Sequence, residues 1–256
     1  MAKPSMIRKK SSNLKQTAIH CCYHKCMTVY FHNVLKEASK KLNVTFYSST
    51  QGRKVIKSPY FILSDNSRID LNQFDEYRCT HIIRDPRDLV VSGYFYHLRT
   101  DEKWCAKPNQ HNTDLPSNVS YQQHLRSLNK EEGIIYELSH VSGRMTEYMH
   151  EWDYANPYSL ELRYELVLGN EAFWFQKIFE WYGIEKNRRP ELVKIAENFS
   201  LQSIKNTNKK TVIGHMRPNS SIGQWRMYFT DKIKTIFKEK YGNVLISLGY
   251  EKSLEW

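Results

Sequence analysis

The stretch TAIHCCYHKCMTVYF, Thr17 to Phe31, decides how the rest of the chain is read. Its first six residues include the β-branched Thr17 and Ile19 and precede a loop, and they read as a short strand. From Lys25 to Lys41 the apolar positions Val29, Phe31, Val34, Leu35 and Ala38, with Leu42 just beyond, recur at helical spacing. Tyr23 and His24 begin a turn between them, so the stretch reads strand, tight loop, helix. A loop that opens on a helix N-terminus offers an anion the unpaired first-turn N–H groups and the positive end of the helix dipole. Lys25 adds a point charge there and Thr28 a hydroxyl.

The same stretch holds three cysteines and two histidines between His20 and Cys26, which raises a metal site as a second reading. A structural zinc site takes four ligands, usually as two spaced pairs. Cys21 and Cys22 are adjacent and point to opposite faces if they lie in a strand. Cys79 and Cys105 stand alone, and Lys25 would place a positive charge among the ligands. We therefore read no metal here and assign the sulfurs to packing at the end of a buried strand.

Working outward, 256 residues suit one large domain or at most two small ones. The reading is a polar, basic, flexible segment over residues 1–15 and one domain over 16–256. Tyr60–Ser64, Thr80–Arg84 and Ser159–Tyr164 are further strand candidates, short and apolar as buried parallel strands are. Asp85-Pro86 starts a helix with proline in its first turn. Residues 100–119 read as a long loop and 121–154 as helical. Further helices are expected at 170–182 and 190–198, with a polar loop over 205–224. Thr230 would cap a last helix carrying Ile233, Ile236, Phe237 and Tyr241. Strands alternating with helices indicate an α/β fold, a single domain whose central, mostly parallel β-sheet is flanked by α-helices.

Lys and Arg number 38 against 27 Asp and Glu, a net charge of +11. That excess favours a polyanionic partner: nucleic acid, an anionic membrane surface or a phosphate-rich ligand. The positive residues are dispersed beyond the N-terminal run, which argues against the basic, aromatic-interleaved stripe of a nucleic-acid binder. The loop lacks the glycines and the G-K-[ST] of a Walker site, which argues against an ordinary ATP or GTP enzyme. Five cysteines, an odd number with three crowded together, make a poor disulfide framework and point to a reducing compartment. Neither a signal peptide nor a membrane-spanning run is read, so a cytoplasmic location is expected.

The second segment narrows the phosphate reading. IIRDPRDLVVSGYFYH, Ile82 to His97, puts Arg84 at a strand end and Ser92 eight residues on, two turns up the next helix. Arg84 through Ser92 resembles the 3′-phosphate motif of sulfotransferases that use 3′-phosphoadenosine 5′-phosphosulfate. HKCMTVYF, His24 to Phe31, resembles their 5′-phosphosulfate loop, written P-K-S-G-T-T-W. RPNSSIGQWRMYFT, Arg217 to Thr230, is similar to their late R-K-G-x-x-G-D-W-K-x-x-F-T segment, and LELRYELVL to the strand ending in Y-E-D-L. The segments keep family order and span about residues 17–250. His24 replaces the family proline, Met27 the glycine and Val29 the second threonine; Pro218 and Asn219 stand for the late lysine and glycine.

The resemblance implies a sulfotransferase with a P-loop-like phosphosulfate-binding loop. The donor would be 3′-phosphoadenosine 5′-phosphosulfate (PAPS), the nucleotide product the 3′,5′-bisphosphate (PAP), and no metal would be needed. The acceptor would bear a hydroxyl, on a carbohydrate, a lipid or a small alcohol; no nucleic acid is expected. Sulfuryl transfer, like phosphoryl transfer, asks mainly for positioning and charge stabilisation. By the resemblance Lys25 stabilises the leaving oxygen, and Cys26, Met27, Thr28, Val29 and Tyr30 form the 5′ loop. Arg84, Ser92 and Arg217 hold the 3′-phosphate, and Tyr164 contacts adenine. Tyr30, where the family has tryptophan, either stacks on adenine or packs in the core. Asp65 stands at the place of the family's catalytic histidine and is read as general base or as a solvated turn residue, with His24 and His97 in reserve. The competing function is a nucleotide- or nucleic-acid-binding protein of P-loop-like fold without sulfuryl transfer. Cys26, next to Lys25 and a helix N-terminus, is expected to carry a low-pKa thiol.

Overall fold

The computed structural model describes Leu14 and residues 16–48, 60–108, 114–200 and 222–256. All but Leu14 of the basic N-terminal segment lies outside those residues, as does Arg217. The chain opens with strand β1, Thr17–Cys22, followed by helix α1, Thr28–Leu42. Strands β2 (Thr45–Ser48), β3 (Tyr60–Asp65), β4 (Tyr77–Ile83) and β5 (Ser159–Arg163) complete a sheet of order β2-β3-β1-β4-β5. Every neighbouring pair is parallel.

Alternation along β1 sends the side chains to two cores. Ala18 and Cys22 join the larger cluster with Phe31, Val34 and Leu35 of α1. Ile19 and Cys21 face the other way, with Tyr60, Ile62 and Cys79. The adjacent cysteines thus diverge as strand geometry requires. β1 sits between β3 and β4, and the strand order reverses beside it. In an open α/β sheet such a switch point leaves a crevice outside the strand C-termini, where ligands bind.

Helix α2, Pro86–His97, follows β4. The Asp85 side chain caps it by accepting from the Arg87 N–H at 2.9 Å. Helices α3 (Lys103–Ala106), α4 (Tyr121–Ser127), α5 (Lys130–Ser139) and α6 (Val141–Glu151) lead to β5. Tyr164 is not the last strand residue but the first of a short helix α7, Tyr164–Val167. Helices α8 (Glu171–Trp181), α9 (Arg189–Asn198) and α10 (Asp231–Ser247) close the order, the last capped by Thr230, whose hydroxyl accepts from the Ile233 N–H.

Strands β1, β3, β4 and β5 and the starts of α2, α4, α8, α9 and α10 agree with the sequence reading to within a residue or a few. The loop expected over 100–119 contains α3, and the helical region from residue 121 divides into α4, α5 and α6. β2 was not anticipated; it is four residues long and enters from Asn43, which closes α1 in the left-handed conformation at φ 54°.

Candidate active site

The loop after β1 is built from two left-handed residues. Lys25 has φ 67° and Met27 φ 62°, the latter as N-cap of α1. The Cys26 N–H closes a turn onto the Tyr23 carbonyl at 3.0 Å. The Thr28 hydroxyl donates to the same carbonyl at 2.9 Å, which pins the start of α1 against the end of β1. The first intrahelical bond runs from the Phe31 N–H to Met27, so the N–H groups of Thr28, Val29 and Tyr30 precede the helical ladder. The family glycine is replaced by a methionine, yet the positive φ that a glycine favours is kept.

These residues line a cavity of ≈ 450 Å³ at the C-terminal edge of the sheet. Lys25, Met27, Thr28, Val29 and Tyr30 enter it from the loop and α1, Arg84 from the β4–α2 junction, Ser92 from the middle of α2, and Tyr164 from α7. Asp65 enters from the end of β3, where it pairs in register with Cys22. The sequence reading therefore assembled one site from segments far apart in the chain.

Arg84 reaches the cavity from the end of β4. It is 2% exposed, its guanidinium lies 4.2 Å from the Tyr164 ring centroid, and Nη1 donates to the Lys25 carbonyl at 3.1 Å. Its Nε and Nη2 have no hydrogen-bond partner, a costly state for a buried cation and one that an anion in the cavity would relieve. The arginine, the helix N-terminus and Ser92 together fit a phosphorylated nucleotide.

Lys25 lies over the Tyr96 ring, with Nζ 3.9 Å from its centroid. Burial, followed by the Arg84 and Arg99 charges, pushes its ammonium down to about 7, while Glu102 opposes that shift. The lysine is thus electrostatically poised for a negative ligand. Asp65 begins a turn in which Asn66 and Ser67 have positive φ and the Ser67 hydroxyl donates to the Cys22 carbonyl at 3.1 Å. It is both a turn residue and part of the cavity wall.

Tyr30 takes the core-packing reading while also lining the cavity. Its hydroxyl donates to the Ala196 carbonyl at 2.9 Å and its ring packs edge-on against Phe175, while part of the side chain borders the cavity. His24 lines the cavity and stacks on His97 at 5.0 Å. His97 is fully buried, does not line the cavity, and pairs with the Glu137 carboxylate at 2.8 Å.

Cys26 requires a correction. It is fully buried in the larger core, and burial raises its thiol well above the ordinary range despite the Arg84 charge. Its N–H is occupied by the Tyr23 carbonyl, so it offers a donor neither its thiol nor a free amide. The left-handed residues on either side turn this side chain inward.

The sequence reading missed Arg99, Glu102 and Arg144. The cavity face of α2 runs Ser92, Tyr96 and, just past the helix end, Arg99, at helical i, i+4, i+7 spacing, and that period was a signal for the last of them. Glu102 precedes α3; its carboxylate accepts from the Tyr96 hydroxyl at 2.7 Å and the Trp104 indole at 2.6 Å. Tyr94 points away from the cavity into a separate apolar cluster with Val90, Val91, Ile233 and Phe237, which also holds Trp225, buried with the Arg87 guanidinium 4.1 Å from its ring centroid.

Residues 21–249 match the family model for the sulfotransferase domain. The chain belongs to the sulfotransferase family. This sulfotransferase is similar in fold to mouse sulfotransferase SULT7A1 complexed with PAP, at 19% identity and TM-score 0.54, over 89% of this chain and 85% of that one. It is also similar to retinol dehydratase in complex with androsterone and inactive cofactor PAP, at 14% identity and TM-score 0.55, over 91% and 82%. A retinol dehydratase complex with retinol and PAP gives 14% and 0.50 over the same shares. No curated protein matches. Among the described residues no helix is long and apolar enough to cross a membrane, and no group of His, Cys, Asp and Glu is placed to hold a metal.

Proposed function

We propose that this sulfotransferase binds PAPS along the β1–α1 loop and moves its sulfuryl group to a hydroxyl on a carbohydrate, a lipid or a small alcohol. The observation that carries the reading is the buried Arg84, with two unpartnered nitrogens, on the wall of a cavity it shares with Lys25 and the N-terminus of α1. PAP in the solved relatives supports the choice of donor.

The N–H groups of Thr28, Val29 and Tyr30 hold the 5′-phosphate. Arg84 and Ser92 hold the 3′-phosphate, joined by Arg217 from outside the described residues. Tyr164, stacked under Arg84, borders the adenine. Asp65 takes the proton of the acceptor hydroxyl as its oxygen bonds to sulfur and the bond from sulfur to the phosphate oxygen breaks. Lys25 balances the charge that develops on that departing oxygen. The five thiols are free, which supports a reducing, cytoplasmic setting.

Incubation with sulfur-labelled PAPS and a panel of hydroxyl acceptors tests the reading. Label should appear in at least one acceptor with PAP released in equal amount. Release of PAP with sulfate alone, or no turnover with any acceptor, counts against it.

A further inference from the structure

This inference rests on the donor reading above. With the β1–α1 loop, Arg84, Ser92 and Tyr164 given to PAPS, the remaining cavity wall belongs to the acceptor. It comes from the end of α2, from α3 and from one face of α6, on which Val141, Arg144 and Met145 follow helical i, i+3, i+4 spacing.

That wall carries two guanidinium groups, Arg99 and Arg144, both exposed and both lining the cavity. Among the described residues neither forms an ion pair. Two carboxylates share the cavity: Asp65 at the end of β3, and Glu102, both of whose oxygens already accept, one from Tyr96 and one from Trp104. Trp104 is 39% exposed, its N–H tied to Glu102, so its ring forms a fixed apolar plate on the same wall. The Arg99 charge reaches the reacting end, since it helps to depress the Lys25 ammonium. Cations lining one cavity repel one another, and an anion among them relieves that repulsion. The donor's charges already have Lys25, Arg84 and a helix N-terminus.

We propose that the acceptor is an alcohol bearing an anionic substituent, which Arg99 and Arg144 take while Trp104 lies against its carbon framework. A sugar acid and a phenolic acid share that chemistry.

The test uses the full chain loaded with PAP and calorimetry with two matched pairs: methyl glucuronide against methyl glucoside, and 4-hydroxybenzoate against phenol. At least one acid should bind about tenfold or more tightly than its uncharged partner, as a charge-assisted arginine contact warrants. Arg144→Gln should abolish that preference and Arg144→Lys restore part of it, with PAP affinity unchanged in both. The pair that shows the preference identifies sugar or aromatic chemistry. Equal or tighter binding of the uncharged partners, no binding of either pair, or a preference that survives Arg144→Gln overturns the proposal. A tenfold loss of PAP affinity in Arg144→Gln also overturns it, by assigning the arginine to the donor. Failure of the wild type to bind PAP removes the donor reading itself, and this inference with it.

Discussion

Arg84 grips the loop lysine by its backbone: Nη1 donates to the Lys25 carbonyl across 3.1 Å, although 59 residues separate them. One guanidinium thereby fixes the loop, keeps two nitrogens for a ligand, and places its charge beside the Lys25 ammonium. Two of the segments that carry the family resemblance are thus one structural unit.

The pH dependence of donor binding follows from that unit. Lys25 titrates near 7 in the empty site instead of at 10.5. An anionic donor favours the charged form and raises its pKa, so binding above neutrality must take up a proton. PAP affinity should fall as pH rises from about 6.5 to 9, and calorimetry in buffers of different ionisation enthalpy should show proton uptake. The unfolded chain holds this proton up to a higher pH than the fold does, so the empty protein should gain stability as pH rises from about 7 towards 10.5. Lys25→Met should flatten that gain, stabilise the empty fold at pH 7 by about 1–3 kcal/mol and lower kcat by about 10²–10³-fold. A pH-independent PAP affinity with no proton uptake counts against the placement of Lys25.

Met27 holds a backbone conformation that costs a residue with a Cβ about 1–2 kcal/mol. Its side chain repays that by packing in the larger core, at 9% exposure. Met27→Gly relieves the strain but loses apolar burial and adds chain entropy, so the fold should lose about 1–2 kcal/mol. PAP affinity should stay within about twofold, because glycine keeps the positive φ. Thermal unfolding and calorimetry separate the two effects, and a large loss of PAP affinity would mean that the methionine side chain itself contacts the donor.

Asp65 shares the cavity with Lys25 and sits at the end of β3. Asp65→Asn removes the base without changing shape. Transfer should fall by about 10²–10⁴-fold with PAP affinity intact. Near wild-type transfer would return Asp65 to a turn residue and move the role to His24, which lines the same cavity.

Cys26 is buried and its thiol is raised, so it should resist alkylation in the native state at neutral pH. Mass spectrometry after iodoacetamide should find it unmodified with or without PAP. Rapid labelling that PAP prevents would place the thiol in the donor cavity instead of the core.

Much of this site was legible because it rests on local periodicity. The β1–loop–α1 pattern placed Lys25, and the interval from Arg84 to Ser92 is two helical turns, so both emerge on the cavity side. Nothing in the residue types of Lys25 and Met27 signals positive φ, and without it the inward turn of Cys26 could not be read. The cavity wall from α2, α3 and α6 was hidden for another reason. Arg99, Glu102 and Arg144 line one cavity only because α6 packs against α2, a tertiary relationship that no single segment carries. β2 escaped notice because four residues give too short a period to distinguish.

Calorimetric titration of PAP into the wild-type chain and Arg84→Ala tests the central claim most directly. The wild type should bind a single equivalent, and Arg84→Ala should lose about 2 kcal/mol or more of binding free energy, roughly thirtyfold or greater in Kd, from the lost charged contacts and the loosened loop. No heat of binding from the wild type, or equal affinity in the variant, would contradict the account.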